Sequence, residues 1–177
     1  ELVYNADWRA GAGDAREVGV RAGGCRRRRS EPAETSPMKL VILDPGHFHA
    51  ALVQKRMYAD VDPTVAVYAP EGPDVDDYLR KIALYNARVD EPTHWQIRVH
   101  AGDDYLERFA AERAGDIVVI AGNNQRKADY LARAVEAGFD VLGDKPMAID
   151  AAGFAALERT FARARENGVL LHDIMTE

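Results

Sequence analysis

The residue this chain has least of is cysteine. A single one, Cys25, stands among 177 residues. That excludes an internal disulfide and suits a reducing compartment, so a cytoplasmic setting is expected. Long apolar runs are missing too, and none approaches the ~18–20 apolar residues that a membrane-spanning helix needs. The Arg26-Arg27-Arg28-Arg29 run leads into Ser30-Glu31-Pro32 rather than into the apolar core of a secretory signal. Positive charge is not in excess: the formal net charge of −6 argues against nucleic acid as a partner. There is no G-x-S-x-G elbow and no internal repeat, and Cys25 lies in an arginine-rich lead segment. Serine and cysteine nucleophile chemistry therefore find no support.

Two compositions are joined at Met38. Residues 1–37 are rich in Gly, Ala and Arg, keep no sustained period and begin without Met. Such a segment buries too little apolar surface to offset its ordering entropy, so a disordered or upstream extension is expected there. The four-arginine run is a candidate anion-binding or localisation patch within it. From Met38 onward the chain opens directly onto a strand, and 38–177 is expected to form one domain. A domain of this size buries roughly 70% of the surface its unfolded chain exposes.

That second part alternates strand and helix. Lys39 to Leu43 is a continuous apolar run, as in a strand covered on both faces. Asp44-Pro45-Gly46-His47 then turns into a helix expected from about Phe48 to Met57. Thr64 to Tyr68 is a second strand, followed by a helix whose apolar positions Val75, Tyr78, Leu79 and Ile82 recur at helical spacing. Gln96 to Val99 is a weak third strand, and Leu106, Phe109 and Ala110 mark the helix after it. Asp116 to Ala121 is a buried strand that ends at Gly122-Asn123-Asn124. Ala128, Leu131, Ala132 and Val135 stripe the next helix, and Gly138 caps it. A strand follows from Phe139 to Leu142, breaking at Gly143. Asp150 is the N-cap of a helix expected to turn Phe154, Leu157 and Phe161 inward, Gly168 ends it, and Val169-Leu170-Leu171 begins a last strand. The expected fold class is α/β, a doubly wound parallel sheet of Rossmann-like type with helical crossovers.

In a parallel sheet all strands end on one edge, where open α/β sheets bind ligands. Gly46, Asn123, Lys145 and Asp173 follow different strands and so converge on that rim. Gly46 can bring backbone N–H groups close to a phosphate. As a G-x-G-x-x-G fingerprint, however, the loop carries Asp44 and His49 where the first and third glycines belong. Lys145, with Asp144 before it and Pro146 after it, presents an amine just past a strand end. Pro146 has no N–H to extend a ladder.

Two stretches carry a family likeness. Asp116-Ile117-Val118-Val119-Ile120-Ala121-Gly122-Asn123, with the following helix ending Ala137-Gly138, is one. Val141-Leu142-Gly143-Asp144-Lys145-Pro146-Met147-Ala148 is the other. Together they resemble the Gfo/Idh/MocA oxidoreductases, whose usual pattern is Thr-Pro-Asn at a strand end, a helix ending Ala-Gly, then Val-Leu-x-Glu-Lys-Pro. The resemblance runs from about Met38 to Glu177 and implies an N-terminal domain that binds NAD or NADP. Lys145 matches the family lysine that contacts the nicotinamide ribose and orients the substrate hydroxyl, which makes it the candidate catalytic residue. Asn123 matches the asparagine beside the nicotinamide half. The candidate cofactor-binding set is Gly46, His47, Phe48, Glu71, Gly122, Asn123, Asn124, Asp144, Lys145 and Pro146, with Glu71 the acid for an adenosine ribose.

Departures from the pattern are Asp144 for glutamate, Arg126 for the histidine that commonly follows the asparagine, and Ala121-Gly122 for Thr-Pro. Family members continue into a second α/β domain that supplies most of the substrate pocket and usually the acid–base residue. This chain stops about where that domain begins, so it is expected to be the cofactor-binding half. The implied partner is a small hydroxylated molecule such as a sugar or polyol, turned over by hydride transfer, and a homo-oligomer is open for the full-length protein.

Two other classes compete. His47 and His49 form an H-x-H pair after a strand, as in metal-dependent amidohydrolases, where two imidazoles share a divalent ion. Against that, such barrels run to ~250 residues and need further ligand-bearing strand ends. His94, His100 and His172 read as ordinary polar residues. Within the oxidoreductase reading the two histidines instead donate neutral N–H groups to a phosphate. A Rossmann-like binding module without catalysis is the remaining class.

Overall fold

The computed structural model describes residues 36–174, so the reading of the lead segment as an extension falls almost wholly outside the described residues. Six strands alternate with five helices. They are β1 (Leu40–Leu43), α1 (His49–Leu52), β2 (Thr64–Ala69), α2 (Pro73–Asn86), β3 (Gln96–Ala101), α3 (Tyr105–Glu112), β4 (Ile117–Ile120), α4 (Lys127–Glu136), β5 (Asp140–Asp144), α5 (Ala151–Asn167) and β6 (Leu171–Ile174). All pairings are parallel, and the strand order is β3-β2-β1-β4-β5-β6. This is the doubly wound order, with its switch point between β1 and β4.

The period-two geometry of the strands divides the core in two. Val41 and Leu43 of β1, with Ala66, Tyr68, Val118, Ile120 and Val141, face Phe109 of α3, Tyr130, Leu131, Ala134 and Val135 of α4, and Ala164 of α5. Leu40 and Ile42, with Val65, Val67 and Val119, face Ala50 and Ala51 of α1 and Val75, Tyr78 and Ile82 of α2. Strands buried on both faces require apolar residues at every position, which is why they read as unbroken runs. Asp150 caps α5 by accepting the Gly153 N–H at 2.7 Å, and Gly168 ends it in the left-handed region at φ 69.

Four local expectations are corrected. The first helix stops at Leu52 instead of Met57. The carbonyls of Val53, Gln54 and Lys55 are taken by Tyr58 Oη, Trp95 Nε1 and the Arg88 guanidinium, so side chains from elsewhere replace the next turn's N–H donors. β5 does not break at Gly143 but continues through it to Asp144. A Cβ on Gly143 would lie 3.0 Å from Met147 Cε and 3.1 Å from Leu131 Cδ2, so the glycine is there for packing inside the strand. The buried stripe of α4 runs through Lys127, Tyr130, Leu131, Ala134 and Val135, one step round from the expected face. On α5 Leu157 packs against the core as expected, but the buried residues are Thr160 and Ala164, whose small side chains let the helix lie close to α4. Phe154 and Phe161 remain 59% and 38% exposed.

Candidate functional site

The register makes three strand ends level. Leu43 of β1 lies beside Ile120 of β4, and Ile120 lies beside Gly143 of β5. The next residues along, Asp44, Ala121 and Asp144, therefore emerge together at the carboxyl edge, at the switch point. Gly46, His47, Gly122, Asn123, Asn124, Asp144 and Lys145 line one cleft there, with a volume of about 200 Å³. Seven of the ten expected cofactor-binding residues are thus brought together. Pro146 follows Lys145 through a cis peptide bond, and both are exposed. Phe48 lies on the other side of the β1 loop, in a second, narrower hollow with Gly46, His47, Asp74 and Tyr78. Glu71 lines neither. The acid that faces the loop is Asp74, whose Oδ2 would be 3.3 Å from a Cβ placed on Gly46. Its signal in the sequence is its place just after Gly72-Pro73, in the first turn of a helix.

The β1 loop is held to the β4 loop backbone to backbone. His47 N–H donates to the Ala121 carbonyl at 3.1 Å, and Gly46 N–H turns back to the Asp44 carbonyl at 2.9 Å. Both N–H groups are thereby engaged within the protein. A Cβ on Gly122 would lie 2.4 Å from Gly46 N and 2.5 Å from Gly46 Cα, and Gly122 has φ +134, so only glycine fits there.

Side chains add a second set of ties. Asp44, itself at φ 47, is buried. Tyr130 Oη donates to its Oδ2 at 2.6 Å, and Asn123 Nδ2 does so at 3.3 Å. Because the Tyr130 proton is committed to Asp44, Tyr105 Oη is the donor in the 2.6 Å contact between the two phenols. The Arg126 guanidinium lies over both rings, 5.2 Å and 5.8 Å from their centroids. Burial first, and then the hydrogen bonds to Asp44 and Tyr105, push the Tyr130 hydroxyl far above the ordinary phenol range.

Across the cleft, Asp144 accepts from two imidazoles. His49 Nδ1 is 2.8 Å from its Oδ1 and His47 Nδ1 is 2.9 Å from its Oδ2. His49 and Asp144 are buried, while the His47 side chain is 43% exposed. Burial raises the Asp144 carboxyl, but the His49 hydrogen bond and the Lys127 charge outweigh it and hold the group below the usual carboxylate range. Lys127 is fully buried. Its Nζ donates to Asn124 Oδ1 at 2.8 Å and to the Asp144 carbonyl at 3.1 Å. Burial pulls its ammonium down from the ordinary lysine value, against the opposing charge of Asp144. Sequence reasoning missed this lysine, although the spacing 127, 131, 134 continues the helix's apolar stripe into it.

A parallel sheet in this strand order, with a polar cleft at its switch point, defines a nucleotide-binding α/β domain. The sheet is open and not closed into a barrel, so the barrel-hydrolase alternative has no support in it. Residues 46–173 match the oxidoreductase family with an NAD-binding Rossmann fold, and the chain belongs to this Gfo/Idh/MocA family. The fold read from the strand–helix alternation and the family read from the Asn123 and Lys145 stretches both stand.

Among solved structures, a candidate oxidoreductase from Parabacteroides merdae is 50% identical with a TM-score of 0.78, over 79% of this chain and 32% of that one. Biliverdin reductase from Synechocystis, in complex with biliverdin and NADP+, is 17% identical with a TM-score of 0.57, over 78% and 38% of the two chains. GenD2 from gentamicin A biosynthesis, in complex with NAD, is 19% identical with a TM-score of 0.54, over 85% and 37%. The last two show the fold alone. The chain spans about a third of the length of these structures. No curated protein matches significantly. Among the described residues, no helix is long and apolar enough to cross a membrane.

Proposed function

We propose that residues 38–177 are the cofactor-binding domain of an NAD(P)-dependent oxidoreductase that acts on a sugar, polyol or related hydroxy compound, and that residues 1–37 are an extension outside it. One observation carries this reading: residues far apart in sequence line a single cleft at the level ends of β1, β4 and β5. The donor set fits a nicotinamide nucleotide. Asn123 and Asn124 offer amides to a carboxamide or a ribose, and Lys145 offers a cationic donor at the rim. Asp74, beside Gly46, offers acceptors for ribose hydroxyls. The cofactor supplies the hydride chemistry when bound.

The chain's own residues bind and orient. Gly122 keeps the two loop backbones close, Lys127 holds Asn124 in place, and Lys145 hydrogen-bonds the reacting oxygen or carries its proton. A carboxylate at Asp74 favours the unphosphorylated ribose of NAD over a 2′-phosphate. The NADP+ and NAD held by biliverdin reductase and GenD2 support the cofactor class and leave that choice to experiment. The net charge and the cysteine content support a small-molecule partner and a cytoplasmic setting, with a homo-oligomer open for the complete protein.

Titration of the full chain with NADH and NADPH, followed by nicotinamide fluorescence, tests the reading. Saturable binding of at least one is expected, NADH the tighter, weakened about tenfold (~1.4 kcal/mol) by Lys145→Ala or Asn123→Ala. No binding of either at millimolar concentration overturns it in favour of a binding module of another kind.

A further inference from the structure

We propose that His47, His49 and Asp144 form a binding site for a divalent transition-metal ion of the zinc class, set in the wall of the cleft. The residues come from the β1 loop, the start of α1 and the end of β5, with 95 positions between His49 and Asp144. Their ligand atoms all lie within 4.8 Å of one another. Both carboxylate oxygens are used, one by each imidazole, at 2.9 Å from His47 and 2.8 Å from His49.

Two imidazoles and a carboxylate are the donor set of open zinc sites, in which three protein ligands leave a fourth position for water or substrate. Around a tetrahedral ion with bonds of about 2.0–2.1 Å, ligand atoms stand roughly 3.3 Å apart. The two His–Asp distances fall short of that by only a few tenths of an ångström, and the whole set of ligand atoms lies within 4.8 Å. A hydrogen-bonded buried carboxylate explains one imidazole. It does not explain why a second, half-exposed one converges on the other oxygen.

The arrangement is also supported from behind. Phe48 packs against both imidazoles, its ring centroid 4.5 Å from that of His47 and 4.3 Å from that of His49. Lys127 Nζ holds the Asp144 carbonyl at 3.1 Å and so fixes the strand end that presents the carboxylate. Burial is one-sided. His49 and Asp144 are closed off, His47 is open, and His47 and Asp144 share the cleft with Asn123 and Lys145. The free coordination position therefore faces the cleft, where it takes an oxygen ligand: a hydroxyl or carbonyl of a substrate, or a phosphate oxygen.

The site is independent of the nucleotide reading, and its test contains no nucleotide. The full chain, stripped with a chelator, is titrated with Co²⁺ and then with Zn²⁺. One equivalent of Co²⁺ is expected, with the visible absorption of a low-coordinate ion, displaced by Zn²⁺. His47→Ala removes a half-exposed ligand, so the fold is kept, as circular dichroism checks. It is expected to weaken binding at least about tenfold. No saturable Co²⁺ binding, or an affinity unchanged in folded His47→Ala, overturns the proposal. Asp144→Asn, checked in the same way, is expected to abolish the absorption band.

Discussion

The cleft has two walls of different ancestry in the sequence. On the β4–β5 side, Asn123, Lys145 and Pro146 stand where the family pattern has them, with Asp144 in place of its glutamate. On the β1 side, Asp44 and His49 replace two of the three glycines that such a loop normally carries. The structure shows that these two replacements are not free-standing. Asp44 is bound by Tyr130 and Asn123, and His49 is bound by Asp144, all from the opposite wall. Each departure on one side is matched by a partner on the other. The β1 loop is therefore held in place by bonds across the cleft, where a glycine-rich loop holds itself by its own tight turn.

The largest test of that view sets the two facing glycines against each other. At Gly122 a side chain meets Gly46 backbone at 2.4 Å and must also adopt φ +134. Gly122→Ala is expected to cost about 3 kcal/mol or more, since a disfavoured backbone alone costs of order 1–3. At Gly46 the nearest atoms to a Cβ are at 3.3–3.4 Å, and no left-handed φ is involved. Gly46→Ala is expected to stay within about 1 kcal/mol, because the reduced freedom of the unfolded chain offsets part of the tight contact. Urea unfolding of both variants measures the difference, and equal costs would mean that the loops do not meet as described.

Next in size is the polar tie behind Asp44. Tyr130→Phe leaves that buried carboxylate with the Asn123 amide alone and strands the Tyr105 hydroxyl as well. A loss of about 1–3 kcal/mol is expected. Tyr105→Phe removes a donor that serves only the phenol, and about 1 kcal/mol is expected in the same unfolding experiment. If the two losses come out reversed, the proton is not on the Asp44 side of Tyr130 and the cross-cleft tie is weaker than the geometry says.

The middle of the sheet was legible because β1, β2 and β4 are apolar almost throughout and are bounded by glycine, proline or a polar cluster. The level ends at Asn123 and Lys145 followed from parallel pairing alone. What escaped depends on partners remote in sequence. The end of α1 is decided by nearby Tyr58 together with Trp95 and Arg88, which lie 41 and 33 residues from the carbonyls they bond. The inward face of α5 carries Thr160 and Ala164 beside the expected Leu157, because close approach to α4 favours small residues over Phe154 and Phe161. The carboxylate of Asp74 comes beside Gly46 because α2 begins immediately over the loop. Lys127 was passed over because a charged residue is rarely fully buried.

That lysine gives the finest test of the comparison, since it stiffens the β4–β5 wall without touching the β1 loop through any hydrogen bond described for it. Lys127→Met keeps the length of the side chain and removes two opposing contributions together. The hydrogen bonds to Asn124 and to the Asp144 carbonyl are lost, and so is the cost of burying an ammonium group. Relief of the ammonium's burial offsets only part of the two lost bonds and of the charge that steadies the buried Asp144 carboxylate, so a net loss of about 1 kcal/mol is expected. Nucleotide affinity is a different matter. Asn124 loses the bond that fixes its side chain at the cleft, so binding of NADH is expected to fall about tenfold, a larger effect than the small shift in the unfolding midpoint. A variant that binds NADH normally would show that the β4–β5 wall needs no lysine behind it, and that its order comes from the backbone bonds between the strands.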